Sequence, residues 1–124
     1  MQKIVIHRPG GHQQLTLEDF DSSPCKGHDV KVTTKAIGVN YADICVRLGV
    51  YKSAKEFVGW PITPGFEFAG IVKEVGPSVI KYKIGDEVFG LTLFNGYSEE
   101  ITAPEHQIFL IPAWWSFAQA AGAP

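Results

Sequence analysis

Cysteine is scarce in this chain of 124 residues: Cys25 and Cys45 are the only two, they form no C-x-x-C pair, and isolated thiols of this kind are mostly reduced. His7, His12, His28 and His106 are scattered, without H-x-x-x-H spacing or a cysteine at ligand spacing, so ordinary surface histidines and no metal are expected. No apolar run approaches the roughly 20 residues of a membrane span, and the opening MQKIVIHRPGG lacks a signal peptide's long apolar region, so a cytoplasmic protein is expected. The formal net charge is only −2, with no lysine and arginine cluster interleaved with aromatics, which removes the electrostatic case for nucleic acid or an anionic membrane as main partner. G-x-G-x-x-G, G-x-x-x-x-G-K-[ST] and G-x-S-x-G are also missing. A complete dinucleotide site, a phosphate-cradling loop and a hydrolase nucleophile elbow therefore lack support.

What is present is the composition of one soluble domain, 45% hydrophobic and long enough to bury a core. Most of it has the period of strands. In DVKVTTKAIGV (Asp29 to Val39), Val30, Val32, Thr34 and Ala36 alternate with Lys31, Thr33 and Lys35, the pattern of a half-buried strand with its lysines in solvent. Shorter candidates are KIVIH, QLTLE, FEFAGIVKEV, DEVFGLT, GYSEEITA and QIFLI, separated by turn signals at PGG, GPS, IGD and APE. Many short strands at such spacing predict a mainly β fold, a small partly open barrel or sandwich with short helices, and not a doubly wound sheet. Gly65, Gly70 and Gly76 read as turn or bulge glycines.

Two segments break the strand period. In GVNYADICVRLGVY, Tyr41, Ile44, Cys45 and Leu48 share one helical face, Asn40 stands at the N-cap, and Asp43 and Arg47 are placed to pair at i, i+4 in solvent. Near the end, Ser116 and Gln119 form an S-x-x-Q capping box for a helix through Ala120 and Ala121. We expect residues 1–112 to be the domain proper and 113–124 the start of a linker helix, cut before the domain it leads into. KSAKEFVGW is expected to be a loop or short helix ending at Pro61.

Three motifs in order, GVNYADICVRLGVY, PITPGFEFAGIVKEVG and IGDEVFGL, resemble the N-terminal GroES-like domain of medium-chain dehydrogenases/reductases. Within that superfamily the likeness is to the zinc-independent quinone oxidoreductases, including zeta-crystallin and vesicle-amine-transport-like proteins, and it covers nearly the whole chain. Zinc-dependent members place a Cys ligand where this sequence has Asn40 and a His ligand where it has Phe66. Neither replacement suits zinc, and the four-cysteine structural lobe is missing from residues 89–104. Glu67, which survives beside Phe66, is then expected to be structural.

The resemblance implies NADPH as cofactor, bound mainly by a Rossmann domain C-terminal to this one, and a quinone or enone as substrate. It implies that Asn40 faces the nicotinamide, that Asp43 fixes its loop, and that Tyr51 points at substrate as candidate proton donor. Tyr41, Phe66 and Trp60 would add substrate surface. It also implies a parent that dimerises through the absent domain. The chemistry is consistent with those residue types: hydride delivery builds negative charge on a carbonyl oxygen, and a phenol with a pKa near 10 keeps a proton to donate there. An enoyl-thioester reductase shares these elements, and a non-catalytic GroES-like adaptor is the rival of another class. Without the resemblance, Asn40 is a plain N-cap worth about 1 kcal/mol, Asp43 and Arg47 a solvated pair, and Phe66 and Phe68 core residues.

Overall fold

The structure is a computed structural model that describes residues 1–49 and 59–122. Its strands are β1 (Gln2–Val5), β2 (Thr16–Asp19), β3 (Asp29–Gly38), β4 (Glu67–Val75), β5 (Glu87–Leu91), β6 (Glu100–Pro104) and β7 (Ile108–Leu110). Its helices are α1 (Tyr41–Leu48) and α2 (Phe117–Ala121), with single 3-10 turns at His12–Gln14 and Glu105–Gln107. Every strand candidate read from the sequence has a counterpart, shortened at the ends where chain leaves the ladder for a turn.

A five-stranded antiparallel sheet in the order β6-β3-β4-β5-β7 forms the body, and β1 and β2 make a separate antiparallel pair. Isolated bridges from Lys3 to Ser98 and from Ile6 to Ile62 tie the pair to the rest. The sheets do not close on each other, so the fold is mainly β with a few short helices. The alternation of β3 sends Val30 and Val32 into a core with Phe68, Val72, Val88, Ile101, Ala103 and Ile108. A second cluster, Ile6, Val46, Ile62 and Phe94, lies beneath α1. A third joins α2 to the sheet through Ala69, Ala120 and Ala121.

Three expectations need correction. Lys31 was placed in solvent by strand alternation, yet it is buried, because Ser22 and Ser23 reach its ammonium group and Glu74 of β4 and Glu100 of β6 flank it. Its Nζ donates to Ser22 Oγ (2.7 Å), to the Ser23 carbonyl and to Glu74 Oε2 (3.1 Å), and lies 3.6 Å from Glu100 Oε1. In α1 the apolar face of Tyr41, Ile44 and Leu48 is exposed. The buried side holds Asp43 and Val46, since a carboxylate with good donors is accommodated in the interior. Among the described residues no ion pair joins Asp43 to Arg47, because the carboxylate has been drawn inward to other donors.

The capping box is present in α2: Gln119 N–H donates to Ser116 Oγ at 3.1 Å and Ser116 N–H to Gln119 Oε1 at 2.8 Å. Ala120 and Ala121 are buried, so this expected linker segment packs on β3 and β4. The four histidines are exposed; His7 bonds Glu18, and His28 Nδ1 lies 3.0 Å from Glu105 Oε2. Both cysteines are free thiols.

Candidate functional site

The site grows from the first turn of α1. Asn40 has extended backbone (φ −125°, ψ 157°) and stands at the N-cap, where the sequence changes from strand to helix period. Its side chain sits in capping position toward the Asp43 N–H, which also gives a bond to the Asn40 carbonyl at 3.0 Å. In return Asp43 Oδ2 accepts the Asn40 N–H at 3.0 Å. The helix closes at Gly49, whose φ of 78° is the left-handed C-cap conformation that glycine adopts most readily. Tyr51, the candidate proton donor two residues on in the sequence, lies outside the described residues, as does most of KSAKEFVGW.

The same Asp43 oxygen accepts a second bond, from Tyr97 Oη at 2.7 Å. Tyr97 is half-buried, and its phenol is pushed above the usual tyrosine range, first by burial and then by the Asp43 carboxylate beside it. Tyr97 is the site residue that the sequence reading missed. One signal was available: an Asp in the buried first turn of a helix needs more donors than the cap provides. A phenol directly after Gly96, in a loop 54 residues further along the chain, cannot be matched to it without the fold.

Two loops carry these groups. Residues 63–65 pair with residues 95–97 through Asn95 N–H to the Thr63 carbonyl (2.8 Å), Gly96 N–H to Gly65 (3.2 Å) and Tyr97 N–H to Pro64 (2.9 Å). The approach is close enough to require glycine: Gly65 has φ +110°, and a Cβ there would meet Gly96 Cα at 2.7 Å. Opposite it, Phe94 and Asn95 both take positive φ (64° and 68°), which is uncommon for a bulky side chain and is held by the packing of Phe94 in the core under α1.

Phe66 is half-buried against that same cluster, its ring centroid 5.2 Å from that of Phe94. Tyr41, by contrast, is 79% exposed at the first turn of α1, and Trp60 is at the margin of exposure. Glu67 lies over Gly38, in the space a side chain there would fill. The structure therefore brings together Asn40, Asp43 and Tyr97, sets Phe66 beneath them in a core, and leaves Tyr41 facing outward.

A shallow cleft of about 320 Å³ is bounded by Lys3, Ile4, Leu17, Lys35, Ile37 and Tyr97. It lies between the β1–β2 pair and β3, not at Asn40; only Tyr97 is common to both places. Among the described residues no group of three His, Cys, Asp or Glu side chains is placed to hold a metal ion, and no helix is long and apolar enough to cross a membrane.

Comparison with known proteins places this geometry. The alcohol dehydrogenase GroES-like domain family matches over residues 26–113. The quinone oxidoreductase-like protein 2 of Bos taurus is 36% identical over 110 residues, covering 89% of this chain and 31% of that protein. The human synaptic vesicle membrane protein VAT-1 homolog is 36% identical over 120 residues, covering 95% of this chain and 30% of its own. Among solved structures, Escherichia coli quinone oxidoreductase complexed with NADPH superposes with a TM-score of 0.92 at 31% identity, over 99% of this chain and 37% of that one. The CurK enoyl reductase gives 0.89 at 28% identity, over 97% and 38%. The chain thus spans about a third of the length of the proteins it matches. With the family match over residues 26–113 and the superposition agreeing, the chain belongs to the alcohol dehydrogenase GroES-like domain family, and quinone oxidoreductases and VAT-1 homologs are among the proteins it resembles.

Proposed function

We propose that residues 1–124 form the substrate-side wall of an NADPH-dependent, zinc-independent quinone or enone reductase, whose nucleotide-binding domain is supplied from outside these residues. The observation that carries this reading is Asn40, held at the head of α1 by Asp43; the family resemblance puts a cysteine ligand of the zinc-dependent members at that position. An amide there is a poor zinc ligand, and with its oxygen turned to the Asp43 N–H it still offers its NH2 group as donor. The half-buried cap, with its own N–H already engaged, fits a carboxamide or carbonyl presented to it. NADPH, when bound, supplies the hydride; this chain's part is to orient, to exclude water and to give a proton. Asn40 orients the nicotinamide edge, Asp43 fixes Asn40, Tyr41 and Phe66 contribute apolar surface toward the substrate, and Tyr51 donates the proton to the developing oxyanion.

The test is made in the full-length protein with its nucleotide-binding domain. Asn40→Ala should lower kcat for NADPH oxidation with quinones, and Tyr51→Phe should lower kcat on enones by about 10²-fold. Residues 1–124 alone should bind NADPH weakly and reduce nothing. Tight NADPH binding by that segment, or an Asn40→Ala enzyme with unchanged kcat, would overturn the division of labour.

A second reading, an enoyl-thioester reductase, is favoured by the likeness to the CurK enoyl reductase. Parallel assays on quinones and on enoyl thioesters separate the two. The primary reading carries a cytoplasmic location, whereas the VAT-1 relatives are named for a vesicle membrane. Cell fractionation distinguishes these, and a protein without NADPH oxidation that co-fractionates with vesicles would replace the enzyme reading with an adaptor.

A further inference from the structure

We propose that Tyr97 is a positioning residue for Asn40, acting through Asp43, so that this reductase site extends by one hydrogen-bonded residue into the loop that follows β5. The inference rests on the reading of Asn40 given above. Tyr97 Oη and the backbone N–H of Asn40 converge on one oxygen, Asp43 Oδ2, at 2.7 and 3.0 Å. Asp43 is 5% exposed, and its other oxygen, Oδ1, is buried with no hydrogen-bond partner among the described residues. With that oxygen idle, the orientation of the carboxylate depends on the two bonds to Oδ2. Deleting the Tyr97 hydroxyl removes the one that comes from outside the helix.

The carboxylate would then be free to turn about its χ2 axis toward any new donor, and the Asn40 backbone would lose its fixed partner. Tyr97 is itself fixed at both ends of its backbone, its N–H to the Pro64 carbonyl at 2.9 Å and its carbonyl accepting from Ile4 N–H at 2.9 Å. The hydroxyl is thus carried by the framework and not by a mobile loop tip. It links β1, the 63–65 loop and the head of α1. A small shift of the backbone that carries the Asn40 side chain is enough to lower the rate of a positioned reaction without abolishing binding.

In the full-length protein, Tyr97→Phe should reduce kcat about tenfold while the KM for quinone changes less than about twofold, the split expected of lost orientation. The double variant Tyr97→Phe/Asn40→Ala should fall within about twofold of Asn40→Ala alone, because the hydroxyl acts only through that amide. Hydrogen exchange of the Asn40 amide should accelerate in Tyr97→Phe. Tyr82→Phe is the matched control: it deletes a hydroxyl bonded at 2.6 Å to the Ile108 carbonyl, far along the sheet, and should leave kcat unchanged. Should Tyr97→Phe fail to fold, Asp43→Asn keeps the shape and one acceptor oxygen and should still lower kcat about threefold.

The proposal is overturned if Tyr97→Phe, or Asp43→Asn in its place, keeps kcat within twofold while Asn40→Ala loses it, or if the two losses multiply in the double variant. An Asn40→Ala enzyme of normal activity would instead bring down the reading of Asn40 itself, a result distinguishable from the first.

Discussion

Replacing Lys31 by methionine tests the largest departure of this fold from its sequence pattern. Methionine matches the unbranched apolar stem of lysine and lacks the ammonium group. The Lys31 side chain is 3% exposed and that of Glu100 4%, with Nζ and Oε1 3.6 Å apart. Removing one partner of such a pair costs about 3–5 kcal/mol, because the other charge stays buried. Here the lower end applies, since Glu100 Oε2 retains Lys73 at 2.7 Å and Oε1 retains Ser22 at 2.6 Å. A loss of about 3 kcal/mol is a large share of the roughly 5–15 kcal/mol by which domains are stable, and lowers Tm by about 12 °C in a chain of this size.

The pH dependence gives the sharper check. Burial pushes the Glu100 carboxyl up, but the hydrogen bonds from Lys73 and Ser22 and the charges of Lys73 and Lys31 outweigh it and hold the group below the usual carboxylate range. A depressed carboxyl contributes stability that is present above its unfolded pKa, near 4.5, and is lost as pH falls through the folded value. Urea unfolding of wild type and Lys31→Met should therefore differ most at neutral pH and converge toward pH 3. Adding Glu100→Gln to Lys31→Met should restore part of the loss. A Lys31→Met variant that loses less than about 1 kcal/mol, or the same amount at every pH, would refute the reasoning.

Two more predictions follow from the loop pair at the site. Gly65→Ala should destabilise by about 2–3 kcal/mol, since it combines a positive φ with a Cβ 2.7 Å from Gly96 Cα; a wild-type Tm would mean that the two loops can separate without cost. The Tyr97 phenol, raised by burial and by Asp43, stabilises the fold below about pH 10 and ceases to as pH rises through its folded pKa. In an alkaline tyrosinate titration, the late-rising amplitude should therefore shrink in Tyr97→Phe, and equal late amplitudes in both proteins would contradict it.

Much of the fold was legible because strand period and turn residues are local. DVKVTTKAIGV alternates, IGD and APE turn, and S-x-x-Q caps α2, each through interactions of residues a few positions apart. The candidate site was legible where its chemistry is also local: Asn40 caps the helix that its own sequence encodes, and Asp43 answers it three residues on. What stood outside local reach was the choice of face. The α1 pattern of Tyr41, Ile44, Cys45 and Leu48 describes one stripe correctly, but hydrophobic periodicity does not say whether a stripe meets a core. In this structure the Asp43 and Val46 side does so instead.

Local sequence pattern was enough to give a mainly β domain with a capped helix at GVNYAD. The reason is that period, caps and donor chemistry belong to neighbouring residues or to single side chains. Long-range contacts, in contrast, bury Lys31 among Ser22, Ser23, Glu74 and Glu100, and bring Tyr97 to Asp43 from 54 residues away. Both depend on which distant donors arrive beside a charge as the chain closes over it. A buried carboxylate or ammonium is stable only where those partners converge.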